Sequence, residues 1–134
     1  FYFKPAGHGV TSKGRSTIRP LFDGQFIEEK VEGTLNGAPF TTLSWTGYNP
    51  FLGKYEATRI ASTDTIRLAE TGSYDEATRQ FELTCDYAFA GDTWHQRDVV
   101  RVLPGNTPHV ESYMRYGKVP EWKGAVITYT RRAK

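Results

Sequence analysis

The chain has 134 residues, enough for one domain with a sizeable core and too few for two. Seventeen basic and fifteen acidic residues leave a net charge of +2, and no run of Lys or Arg is longer than the pair Arg131 and Arg132, so the charge pattern excludes the basic footprint of a nucleic-acid binder. A single cysteine, Cys85, excludes an intrachain disulfide and a cysteine-based zinc centre, and no apolar run approaches the roughly 20 residues of a membrane helix.

An aromatic share of 14%, 13 Gly and 7 Pro, with few Ala, Leu and Met, favours strands and turns over helices. The chain opens on the strand-like "FYFKP", which reads as an N-terminal strand that is incomplete. Turn signals follow at Asp23-Gly24, Asn36-Gly37, Asn49-Pro50 with Gly53, Ser73 to Asp75, Gly91-Asp92, Pro104 to Asn106, and Gly117 to Gly124. Between them the sequence predicts strands near residues 1–4, 9–19, 24–34, 39–48, 54–62, 65–72, 79–88, 94–103, 108–115 and 124–132. No window carries a 3.6-residue period. Sequential strands with short loops are best satisfied by a closed antiparallel up-and-down β-barrel of about 8–10 strands, because closure removes exposed edges; a sandwich is the alternative.

Five segments carry a resemblance: "STIRPLFDGQFIEEKVEGTLNGAPF", "GYNPFLGKYEAT", "GSYDEATRQFEL", "HVESYM" and "ITYTR". In order and spacing they resemble a bacterial family of lipocalin-like proteins catalogued as a domain of unknown function, over about Ser16 to Arg131. The resemblance implies a single calycin-type barrel over residues 1–134 with a pocket inside, and it assigns no chemistry. The sequence departs from the family pattern after "KYEAT", where Arg59 and Ala61 stand in place of Trp and Asp, and at Glu111-Ser112, where an apolar residue and then the acid are expected.

In a small barrel alternate residues face inward. On 24–34 that set is Ile27, Glu29, Val31 and Gly33; on 39–48, Leu43, Trp45 and Gly47; on 54–62, Tyr55, Ala57, Arg59 and Ala61. On 79–88 it is Phe81, Leu83, Cys85 and Tyr87; on 94–103, Trp94, Gln96, Asp98, Val100 and Val102; on 108–115, Val110, Ser112 and Met114. The last strand reads equally well with Ala125, Ile127 and Tyr129 inside or with Val126, Thr128 and Thr130.

The candidate ligand-binding residues are therefore Glu29, Trp45, Arg59, Tyr87, Gln96, Asp98, Ser112 and Met114. A buried carboxylate needs a partner, so Glu29 or Asp98 is expected to meet Arg59. The leading expectation is binding of a small, largely apolar molecule with a polar or acidic head group met by Arg59, in a soluble, cytoplasmic protein without cofactor or metal. The alternative is a cofactor-free isomerase or cyclase with Glu29 or Asp98 as the acid–base group and Tyr87 as donor. His8, His95 and His109 lack metal-site spacing, although one could ligate haem iron. An incomplete first strand leaves an edge through which two copies would pair as a homodimer.

Overall fold

In the computed structural model, which describes residues 13–35 and 37–130, nine antiparallel strands follow one another in up-and-down order. They are β1 (Gly14–Leu21), β2 (Phe26–Leu35), β3 (Ala38–Asn49), β4 (Lys54–Ala61), β5 (Leu68–Asp75), β6 (Gln80–Phe89), β7 (Asp92–Leu103), β8 (Thr107–Tyr116) and β9 (Trp122–Thr128). The strand expected at 1–4 and the start of the one at 9–19 lie outside the described residues. The chain divides into two compact units, one up to Glu70 and one from Thr71, with β5 running from the first into the second.

In the first unit, Leu35 pairs with Ala38, so the β2–β3 hairpin turns through two residues, with Gly37 at φ 79° as such a turn requires. That turn sets the register: Glu29 lies opposite Ser44, Val31 opposite Thr42, and Glu28 opposite Trp45. Odd residues of β2 therefore share a face with even residues of β3. Trp45, Leu43 and Gly47 consequently lie on the face of Glu28 and Lys30, not with Ile27, Glu29 and Val31. Here the sequence reading is corrected. Choosing each strand's inner face by apolar character ignored the turn, and a one-residue difference in register exchanges the faces. Across β4, Ala57, Arg59 and Ala61 oppose Thr46, Ser44 and Thr42, which gives the Glu29 face a lining of small hydroxyl side chains.

One end of this unit carries two tight connections. Between β1 and β2, Phe22 and Asp23 both take positive φ, 50° and 56°, a conformation that costs a non-glycine residue about 1–3 kcal/mol. Between β3 and β4, the Asn49 side-chain oxygen accepts from the backbone N–H of Phe51 at 3.0 Å and of Leu52 at 3.3 Å, while its amide donates to Glu56 at 3.0 Å.

In the second unit the alternation agrees with expectation. Leu83, Asp98, Ser112 and Ala125 lie in one row across β6 to β9, and Cys85, Gln96, Met114 and Trp122 in the next. The register shifts between Ser112 and Tyr113, whose partners are Ala125 and Lys123, leaving Gly124 as an extra residue. This bulge decides the undecided last strand: Ala125 and Ile127 join the Asp98 face, and because of the extra residue so does the even-numbered Trp122.

The buried set is as polar as it is apolar. Ala57, Cys85, Val99 and Met114 are buried, but so are Thr42, Glu70, Gln96, Asp98 and Ser112, and the largest side chains excluded from solvent are Met114, Glu70 and Asp98. Two carboxylates in that position require donors around them.

Candidate functional site

Each unit supplies donors to its buried carboxylate. In the first, one terminal nitrogen of Arg59 reaches both oxygens of Glu70, at 3.3 and 3.2 Å, with the Glu70 side chain 1% exposed and that of Arg59 19%. Glu29 instead accepts from the Ser16 hydroxyl at 2.6 Å. Arg59 thus lies on the face the sequence predicted, and it meets Glu70 there, an acid the sequence reading did not single out. That residue was missed, although Leu68, Glu70, Gly72 and Tyr74 repeat the pattern of a carboxylate at an inward parity seen at Ile27, Glu29 and Val31. Trp45, on the opposite face, donates its indole N–H to Glu28 at 2.8 Å, and Arg19 meets the same carboxylate at 2.6 Å. These two hydrogen bonds hold Glu28 below the usual carboxylate range.

In the second unit Asp98 is 1% exposed. Its Oδ1 accepts from the Ser112 hydroxyl at 2.6 Å and from the Gln96 amide at 3.1 Å, and its Oδ2 accepts from the same amide at 3.0 Å. The strands explain the cluster: Gln96 and Asp98 are two apart on β7, and Ser112 faces Asp98 across β8. The structure therefore joins three of the predicted site residues into one hydrogen-bonded group, with buried Met114 opposite Gln96 and half-buried Tyr87 on the same face.

Beside this group lies an aromatic shell. Trp94 stacks on Tyr116 with ring centroids 4.5 Å apart and planes at 21°; Trp122 meets both edge-on, at 6.0 and 5.7 Å, and Phe89 meets Trp94 at 5.9 Å. The three tryptophans differ in one respect. The indole N–H of Trp45 has Glu28, that of Trp94 donates to the Phe89 carbonyl at 3.2 Å, and that of Trp122 is buried with no acceptor among the described residues. Trp122 was missed by the sequence reading, which began the strand at 124. The signal was Gly124, since a glycine inside a strand marks a bulge.

The opposite face of β6 to β9 is a charged lattice. Arg97 lies 4.4 Å over the Tyr113 ring, pairs with Glu121 at 2.7 Å and approaches Glu82 at 3.7 Å. His95 contacts Asp86 at 2.6 Å in an open cleft of about 430 Å³ that Thr93, Arg115, Tyr116 and Gly117 also line. The Tyr113 hydroxyl, Lys123 and His109 surround Glu111 at 2.6, 3.2 and 3.6 Å. Donation from Tyr113, then from Lys123, draws the Glu111 carboxyl down from 4.5 to about 2. Because its folded-state value is depressed, Glu111 stabilises the fold above about pH 4.5, and that contribution is lost as pH falls through about 2. Thermal unfolding followed between pH 6 and pH 2 is expected to show a shallower acid decline for Glu111→Gln than for the unmodified chain, with the two curves converging at the acid end.

An all-β antiparallel meander with ionisable groups buried on strand faces describes a class rather than an activity. The particular assignment follows from comparison: the chain belongs to the family described as "Protein of unknown function (DUF1579)", whose profile matches residues 2–131. No curated protein and no solved structure matches the chain. Among the described residues no helix is long and apolar enough to cross a membrane.

Proposed function

We propose that this protein is a lipocalin-like, calycin-type binding protein that takes a small, largely apolar molecule with a polar or acidic head group on the Asp98 face of β6 to β9. The observation that carries the reading is the buried indole N–H of Trp122, which lacks an acceptor among the described residues and sits beside an apolar and aromatic wall. Leaving a buried donor unpaired is costly, and a carboxylate or carbonyl oxygen on a ligand would satisfy it. Arg59, the head-group partner expected from the sequence, is engaged by Glu70, so the reading moves the head group to Trp122. Trp94, Tyr116 and Phe89 would cover the apolar body, gaining roughly 25 cal/mol per Å² removed from water. Asp98, held on both oxygens by Gln96 and Ser112, serves as a fixed polar anchor for the wall.

A fluorescent fatty-acid analogue titrated into the protein tests this directly. Saturable binding is expected, and Trp122→Phe should weaken it by about tenfold or more, the worth of a hydrogen bond to a charged acceptor. Solvent extraction and mass spectrometry of the purified protein should release a molecule of the same class. If neither protein binds the analogue saturably and nothing is extracted, the reading fails.

A further inference from the structure

The end of the first unit where β1 meets β2 and β3 meets β4 presents apolar side chains to water in an arrangement that ligand binding at Trp122 does not use. Phe51 is 96% exposed, Phe22 73% and Leu52 58%, with Tyr48 and Phe26 set back behind them. The register places these groups together: Leu21 pairs with Phe26, Phe26 with Gly47, and Asn49 with Lys54, so both connections lie at the same end of consecutive strands. Scattered exposed apolar residues need no explanation, but several at the apices of neighbouring hairpins do.

Both apices are built to hold these side chains out. Phe22 and Asp23 adopt left-handed backbone that water alone would not favour, and Asn49 clamps the Phe51 and Leu52 N–H groups while Glu56 accepts from its amide. Behind the apices the aromatics are braced, Phe22 against Phe26 at 6.3 Å and Tyr48 against Tyr55 at 5.1 Å. A Cβ on Gly47 would lie 2.7 Å from the Phe26 ring, so the absence of a side chain there lets that ring lie against the strand. Such preorganisation lowers the ordering cost of an association.

We propose that these two hairpin tips insert Phe22, Phe51 and Leu52 into the interfacial layer of a lipid surface. The occupant follows from shape and charge. A stable protein interface covers about 800 Å² per partner with 20–30 residues a side, whereas the tips offer three strongly exposed apolar side chains, Phe22, Phe51 and Leu52. Protruding groups of this kind suit burial about 5–10 Å into the headgroup and acyl boundary. Asp23 is the one charged residue within these connections and Lys54 opens β4 beside them with the opposite sign, so apolar insertion rather than attraction to anionic headgroups is the driving term.

Flotation with small phosphatidylcholine vesicles tests the proposal. The unmodified chain is expected to float with the vesicles equally well at low and high salt. Phe51→Ser combined with Leu52→Ser should reduce the bound fraction on the order of tenfold, with an unchanged circular-dichroism spectrum. A Phe51→Trp variant should add a blue-shifted emission component when vesicles are present. Failure of the unmodified chain to float, or equal flotation of the double variant, overturns the proposal. So does a dimer in sedimentation velocity that the double variant dissociates, since a second copy would then be what covers the tips.

Discussion

Gly72→Ala is expected to be among the most damaging single-methyl additions in this chain, lowering stability by about 3 kcal/mol and the thermal midpoint by roughly 10 °C. Gly72 pairs with Leu83 where β5 runs along β6, and a Cβ at Gly72 would collide with the Glu82 carbonyl oxygen and lie 2.7 Å from its carbonyl carbon. Both are backbone atoms. No rotamer change relieves the clash, so the strands must separate and weaken their ladder. Gly91→Ala is the control, because Gly91 at φ 82° has nothing within 4 Å of its virtual Cβ and suffers only the left-handed backbone penalty. Circular-dichroism melts of the two variants should therefore differ clearly; equal midpoints would mean that β5 and β6 do not approach as closely as described.

Asp98→Ala carries the second large effect, a loss of about 3 kcal/mol read from the urea midpoint. The substitution removes the acceptor of the Gln96 amide and the Ser112 hydroxyl in a place closed to water, and it leaves a cavity opposite Leu83. Ser112→Ala alone should lose about 1 kcal/mol, and the double variant less than the sum, because Ser112 has no acceptor to lose once Asp98 is absent. Strict additivity would show that the 2.6 Å contact contributes nothing to stability. Asp98→Asn should fall between the two, since its amide can keep the Ser112 contact while turning a donor toward the Gln96 amide.

Legibility in the sequence varied along the chain for physical reasons. The strands expected at 79–88, 94–103 and 108–115 are found at Gln80–Phe89, Asp92–Leu103 and Thr107–Tyr116, where the alternation of Phe81, Leu83 and Cys85 with Gln80, Glu82 and Thr84 is strong. Gln96, Asp98 and Ser112 could accordingly be placed on one face from parity alone. On β3 apolar and small polar residues alternate weakly, and Trp45 drew the inner assignment although the two-residue turn beside Gly37 required the opposite one. Trp45 shows how an aromatic ring can be partly covered on a polar face by hydrogen bonding to a carboxylate. Glu70 escaped notice because its strand was read as 65–72 rather than Leu68–Asp75, with no parity assigned. Trp122 escaped because the last strand was read from 124 rather than from Trp122, and the unpaired Gly124 separates it from the parity of Ala125 and Ile127.

That bulge makes the pairing of one residue, rather than side-chain identity, the determinant of what β9 shows to either side. Were Gly124 instead taken into the ladder opposite Tyr113, Lys123 would fall opposite Met114 and Trp122 opposite Arg115, on the charged face, without altering either side chain. Deletion of Gly124 would regularise the ladder and leave Trp122 opposite Met114 and Lys123 opposite Tyr113, so it is the unpaired state of this one residue that keeps the indole on the Asp98 face.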